Sequence, residues 1–219
     1  MQSPRTKYSS LYSAFKSIDG HNEYREIIRF VRYHEKDISL LEFSEYFDLM
    51  VTFCDALFEV GNYQRFLFYV DDLIESSIFN SIKIYKGEYI FQKLLFRKAA
   101  AHYQLNNYNK AIYIIKELIK INPKDQLNQR FLFKCYRKNM PIQKKLNRSI
   151  AILLFLIVGL ITGFELLIVR HFFNDYVFLF EWTRNILFLS GLLILIFGDG
   201  WHYLQIKMKI RRFVQGLDK

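Results

Sequence analysis

The run from Ser149 to Trp201 constrains this chain more than any other stretch. It contains two long apolar segments joined by a short turn, too long and too apolar for the interior of a soluble domain of this size. The first segment lies between Arg148 and Arg170. Those 22 steps span about 33 Å at 1.5 Å per helical residue, which suits a hydrocarbon layer of about 30 Å. The second lies between Trp182 and Trp201, about 28 Å by the same arithmetic. Tryptophan favours membrane–water interfaces, so these two residues are the expected interface anchors. The pattern predicts a transmembrane helical hairpin over residues 141–204, with spans at about 149–169 and 182–201.

Charge orients this hairpin. Residues 1–133 carry 18 Lys/Arg against 16 Asp/Glu, and residues 134–148 carry six Lys/Arg and no acid. Residues 149–204 carry two basic and four acidic residues, and residues 205–219 five basic and one acidic. The net charge of +10 is therefore concentrated at the two ends of the hairpin. That distribution suits a membrane surface better than a nucleic-acid groove, and by the positive-inside rule it places both termini in the cytoplasm. Cys54 and Cys135 have no metal-ligand spacing and read as reduced, buried thiols. The first ten residues lack the apolar core of a signal peptide. Usage rich in Ile, Lys, Asn, Phe and Tyr suggests an AT-rich genome and with it a bacterial inner membrane, an organelle membrane of a eukaryote being the alternative.

With 3 Pro and 9 Gly, the chain has little material for long turns and is expected to be all-α. Residues 1–7 read as loose and residues 8–17 as a short helix with Leu11, Phe15 and Ile18 on one side. Residues 22–35 read as an amphipathic helix, with Tyr24, Ile27, Ile28 and Val31 opposite Arg25, Arg29 and Arg32. From residue 41 a pattern is set out twice. An apolar helix to Val60 stops at Gly61-Asn62, and a second begins at Tyr63 and runs to about Ser77. After an irregular stretch near 80–90, a helix over 89–105 stops at Asn106-Asn107, and another runs from Tyr108 to Ile121. Asn122-Pro123 ends the last.

The triplets Gly61-Asn62-Tyr63 and Asn106-Asn107-Tyr108 align at an offset of 45 residues. With Leu95, Ala99, Tyr108, Ala111 and Pro123, the second unit (92–125) resembles the tetratricopeptide repeat, a helix–turn–helix unit of 34 residues. The first unit (47–79) matches less fully: Met50, Cys54, Gly61 and Tyr63 fit, while Phe66 stands where Ala is usual. The resemblance implies a tetratricopeptide-like cytoplasmic domain over residues 1–140. Small residues at 54, 99 and 111 would let helices approach, and the helices at 8–35 and 126–137 would cap the ends. Phe133, at a small-residue position, marks the last helix as a cap.

The resemblance also implies a concave groove lined by the first helix of each unit. Asp48, Thr52, Asp55 and Glu59 form one stripe there, and Lys93, Arg97, Ala100 and Gln104 the matching one. Asp48, Asp55, Glu59, Lys93, Arg97, Tyr103 and Gln104 are the candidate partner-binding residues, with Phe58 and Phe96 as apolar candidates. Lys93 and Arg97 resemble half of a carboxylate clamp, but Val51 and Asp55 stand where its other half would be. The alternative is that the stripes pair with each other across adjacent helices.

Within the hairpin, Glu165 and Arg184 fall at similar depth in antiparallel spans and are predicted to pair; an ionisable group in lipid is a functional candidate. Gly159 and Gly163 have the spacing of a close helix contact, within the hairpin or between copies. No HExxH, phosphate loop, GxSxG or Cys/His arrangement is present, and His21, His34, His102, His171 and His202 are scattered. The expectation is a non-enzymatic chain with no catalytic residues, no metal and no cofactor. It would be a membrane-anchored adaptor that meets a protein partner and the lipid bilayer, with neither nucleic acid nor a small-molecule substrate. The alternative is an accessory subunit of a larger secretion, respiratory or transport assembly, packed through its hairpin, with residues 205–219 as a basic tail.

Overall fold

The computed structural model describes residues 4–19, 24–139, 142–169 and 177–217. Pro141, the first residue of the expected hairpin, lies outside these residues, as do Arg170, His171 and part of the turn between the expected spans. Among the described residues the chain is all-α apart from one small hairpin of strands. Its helices are α1 (Pro4–Asp19), α2 (Tyr24–Tyr33), α3 (Glu35–Ile38), α4 (Phe43–Glu59) and α5 (Tyr63–Phe79). After strands β1 (Ile84–Tyr85) and β2 (Glu88–Tyr89) come α6 (Ile90–Gln104), α7 (Tyr108–Ile121) and α8 (Gln126–Lys138). The last elements are α9 (Ile142–Phe164), a π-helical turn (Glu165–Val169) and α10 (Val177–Gln215). The chain divides into two compact units, Met1–Asn128 and Gln129–Lys219, with the division falling inside α8.

In the first unit, α4 packs on α5, α5 on α6, α6 on α7, and α2 covers α4. This is a stack of successive helix pairs. The turns that close the pairs share one chemistry. Gly61 and Asn106 both have positive φ, +78° and +60°. After α4, Gly61 N–H donates to Phe58 O and Asn62 N–H to Leu57 O, at 3.0 and 2.8 Å. After α6, Asn106 donates to Tyr103 O and Asn107 to His102 O, at 3.1 and 2.9 Å. Each is a Schellman motif, which satisfies carbonyls that the helix end would otherwise orphan. A third follows α5, with Ser81 at φ +55° and bonds from Ser81 and Ile82 to Ile78 O and Ser77 O. The turn aromatics repeat as well: Tyr63 meets Phe58 edge-on at 5.4 Å, and Tyr108 meets Tyr103 at 5.5 Å. Cys54, Ala99 and Ala111 are fully buried, so the helices close over small side chains. Leu49, Leu57, Phe66, Ile90, Leu94, Ile115 and Leu118 fill the interior; full burial of each such side chain contributes about 1.5–3 kcal/mol.

Two local expectations are corrected. Helix α1 is already formed at Pro4, ahead of residue 8, and proline is tolerated there because in a first helical turn its missing N–H loses nothing. The stretch near 80–90 is not wholly irregular. Ile84 pairs with Tyr89 and Tyr85 with Glu88 across Lys86-Gly87, whose φ values of +49° and +83° make a tight hairpin turn.

In the second unit, α9 and α10 pack together. Ser149–Ile168 and Phe178–Phe197 are each 20 residues long and apolar enough to cross a membrane. Their apolar side chains point outward: Leu156, Leu160, Leu167, Leu189 and Ile196 are each more than half exposed. An added Cβ at Gly191 would lie 3.3 Å from the Phe155 ring, so Gly191 marks the close approach of α9 and α10. Among the described residues nothing lies within 4 Å of such an atom at Gly159 or Gly163, so neither makes a close helix contact within the described part of the hairpin. Helix α10 begins before Glu181 and runs unbroken to Gln215. The stretch 205–215 is therefore helical. It contains no Gly or Pro, Ile206 and Ile210 bury one stripe, and Gly216 follows its end.

Candidate functional site

The charged residues singled out in the first unit meet one another. Lys93 Nζ lies 3.5 Å from Asp55 and 2.8 Å from Glu88. Arg97 reaches Asp55 at 2.7 Å and Glu59 at 3.3 Å, with its guanidinium 5.1 Å from the centre of the Phe58 ring. The stripes of α4 and α6 are thus zipped together. Lys98 adds a tie to Asp71 on α5 at 2.5 Å. Burial raises the pKa of Asp55 despite Arg97 and Lys93 beside it, whereas the hydrogen bond from Lys93 lowers that of exposed Glu88. Tyr103 is half-buried against Tyr108, and Gln104 is exposed at the end of α6.

Asp48 plays a part that helix periodicity did not reveal. It is 9% exposed and accepts hydrogen bonds from the Tyr12 hydroxyl of α1, at 2.8 Å, and from the Tyr85 hydroxyl of β1. Lys16 Nζ lies 2.6 Å away and Lys86 Nζ 3.6 Å. Burial works to raise its pKa, but the hydrogen bonds from Lys16, Tyr85 and Tyr12 outweigh that and hold it below the ordinary carboxylate value. Asp48 thus fastens α1 and the β-hairpin to α4. The one sequence signal for Tyr85 was the Lys-Gly turn beside it; Tyr12 and Lys16 sit on a helix whose pattern spoke only of Leu11, Phe15 and Ile18. Thr52 donates to Asp48 O at 3.0 Å, a local bond within α4.

His102 is buried, and burial lowers its pKa, keeping the ring neutral. Its Nδ1 has no hydrogen-bond partner among the described residues. No group of three or more His, Cys, Asp or Glu among the described residues is placed to hold a metal ion.

In the second unit, Arg184 Nη1 donates to Glu165 Oε2 at 2.9 Å. Glu165 is fully buried, and its partner's side chain is 27% exposed. Glu165 opens the π-helical turn, where one extra residue in the turn changes the direction of the side chains that follow. Trp182 is exposed on α10; Trp201 lies within the same helix, and its side chain is outside the described set.

No family model and no curated protein matches the chain. Two solved structures are similar to it, a protein of Podosopora anserina described as a kinesin light chain with nearly identical TPR-like repeats and a single-substitution variant of it. The variant aligns over 97% of this chain and 96% of its own, and the other over 100% and 97%; both have 11% identity and a TM-score of 0.44. The helix-pair reading rests instead on the repeated turns, the small buried residues and the paired aromatics described above.

Proposed function

We propose that the chain is a non-enzymatic, membrane-anchored adaptor, in which a tetratricopeptide-like domain recruits or braces a protein partner at a membrane. The observation that carries this reading is the pairing of unlike parts. A helical domain with its own core precedes two 20-residue apolar helices that leave their large side chains uncovered. Exposed apolar area on that scale is stabilised by lipid or by another membrane protein. Basic residues at both ends of the hairpin favour the cytoplasmic side for both termini, and a bacterial inner membrane is the proposed setting. Trp182 and Trp201 are the proposed interface anchors, and Glu165 with Arg184 an intramembrane lock. Asp48, Asp55, Glu59, Lys93 and Arg97 keep the proposed groove in shape, and Tyr103 and Gln104 offer its accessible edge to a partner.

A second reading, an accessory subunit of a larger membrane complex, is favoured by the same exposed apolar faces. Photo-crosslinking separates the two. A benzoylphenylalanine replacing Gln104 should capture a protein partner in native membranes if the adaptor reading holds. The same probe replacing Leu160 should capture one if the hairpin makes the main contacts. Capture from Leu160 alone would overturn the adaptor reading.

A further inference from the structure

The helical stretch that follows the second apolar span carries Lys207, Lys209, Arg211 and Arg212, and residues 202–217 contain no acid. On α10, Ile206 and Ile210 form the buried stripe, 5% and 8% exposed. Lys207 and Arg211 lie on one flank of that stripe, and Lys209 and Arg212 on the other. All four are exposed or half-exposed, and none has an ion-pair partner among the described residues. Helix α8 lies alongside. Phe133 meets Tyr203 edge-on at 5.1 Å, and Lys209 Nζ sits 4.8 Å from the centre of the Tyr136 ring. Arg137 and Lys138 at the end of α8 are likewise exposed and without an ion-pair partner among the described residues. The residues between α8 and the first apolar span, 139–148, add three more cations and no acid. Among the described residues, the end of α8 and the part of α10 from Tyr203 on therefore form a helical platform with cations on several sides and no acid.

We infer that this platform binds the headgroups of anionic phospholipids in the leaflet from which the hairpin emerges. The inference rests on the membrane-anchored reading and names the lipid class that the anchor selects. Three considerations carry it. A cluster of four to eight Lys/Arg next to a membrane helix attracts anionic headgroups, each contributing when it sits near the surface. Distance permits contact: Lys207 lies six residues beyond Trp201, about 9 Å along the helix. Long basic side chains can reach back toward the interface from there. The helix supplies the third. Cations fixed on a continuous α10 keep one spacing, whereas cations on a loose tail would have to be ordered on binding.

The test uses the full chain purified in a neutral detergent. Its thermal midpoint is followed as phosphatidylglycerol, phosphatidylcholine or water-soluble glycerol phosphate is added, and retained lipid is counted by native mass spectrometry. Phosphatidylglycerol should raise the midpoint and be retained over phosphatidylcholine by about tenfold, with the preference collapsing in 0.5 M salt. The variant with Lys207→Gln, Lys209→Gln, Arg211→Gln and Arg212→Gln should lose the preference. A charge-conserving variant (Lys207→Arg, Lys209→Arg, Arg211→Lys, Arg212→Lys) should keep it, which controls for misfolding. Equal retention of both lipids, an unchanged preference in the Gln variant, or an equal effect of glycerol phosphate would overturn the inference. The anchor reading fails differently: the chain would then stay dispersed in buffer without detergent.

Discussion

Asp48 shows at residue scale how much one carboxylate can organise. Its partners come from α1 and from the β-hairpin, so its charge is shared among segments distant in sequence. Asp48→Asn should destabilise the full chain by about 1–3 kcal/mol at neutral pH, since it leaves Lys16 and two tyrosines with a weaker acceptor. The pH dependence has a definite sign. The folded-state pKa of Asp48 is depressed below 3.8. Its stabilisation is therefore complete above the unfolded value and lost as pH falls through the folded one. The gap between wild type and Asp48→Asn should narrow only below about pH 4; denaturant melts from pH 7 down to pH 3 would measure it. A gap that narrowed instead between pH 5 and 7 would contradict the assignment. Gly61 gives the second residue-scale outcome. An added Cβ would meet nothing closer than Tyr63 at 3.9 Å, so the cost of Gly61→Ala is that of the backbone at φ +78° alone. That cost is about 1–2 kcal/mol, and Gly61→Asn should cost less, because Asn already holds the same conformation at Asn106. The position was legible in sequence because Gly-Asn is a turn signal in itself. The role of Asp48 was not, because a periodic stripe says which helix face a carboxylate occupies and nothing about which distant hydroxyls meet it.

Among elements, the sequence conveyed helices and their stops better than it conveyed what lies between or beyond them. Helix α7 falls on its expected bounds because Asn107 and Pro123 flank it with strong local signals. The β-hairpin leaves no mark in the sequence because two-residue strands produce no alternation, and the length of α10 leaves little because a basic run has the composition of a solvated segment, whereas Ile206 and Ile210 are buried. In the hairpin, Gly191 and not Gly159 or Gly163 marks the close helix approach, since three glycines in apolar runs look alike without the Phe155 ring opposite one of them. The Glu165–Arg184 contact lends itself to a double-mutant cycle. Glu165→Gln and Arg184→Gln should each destabilise the hairpin in detergent or bilayer. The double variant should cost no more than the worse single, a coupling of about 1–3 kcal/mol. Additive losses in a reversible unfolding titration would show that the pair contributes no mutual stabilisation.

For the whole molecule, the two native cysteines provide a way to examine topology. Burial pushes the Cys54 thiol up to about 12 and the Cys135 thiol up to about 11. Thiolate is the reactive form, and both groups are enclosed, so the folded chain should label slowly with maleimide at pH 7.5 and fully once denatured. The native protein is thus a quiet background for introduced cysteines. Ser10→Cys lies on an exposed position of α1 and Lys207→Cys on an exposed position of α10, on opposite sides of the apolar hairpin in sequence. If two spans cross the bilayer, both positions face the same compartment. An impermeant maleimide should then label both in inverted inner-membrane vesicles and neither in intact spheroplasts. Labelling of one from each side would mean an odd number of crossings and would remove the hairpin topology, while leaving the helix-pair domain as described. Labelling of both from outside would keep the hairpin but reverse the orientation argued from Lys and Arg. It would then place the basic platform against the opposite leaflet, where the same lipid titration would have to be read.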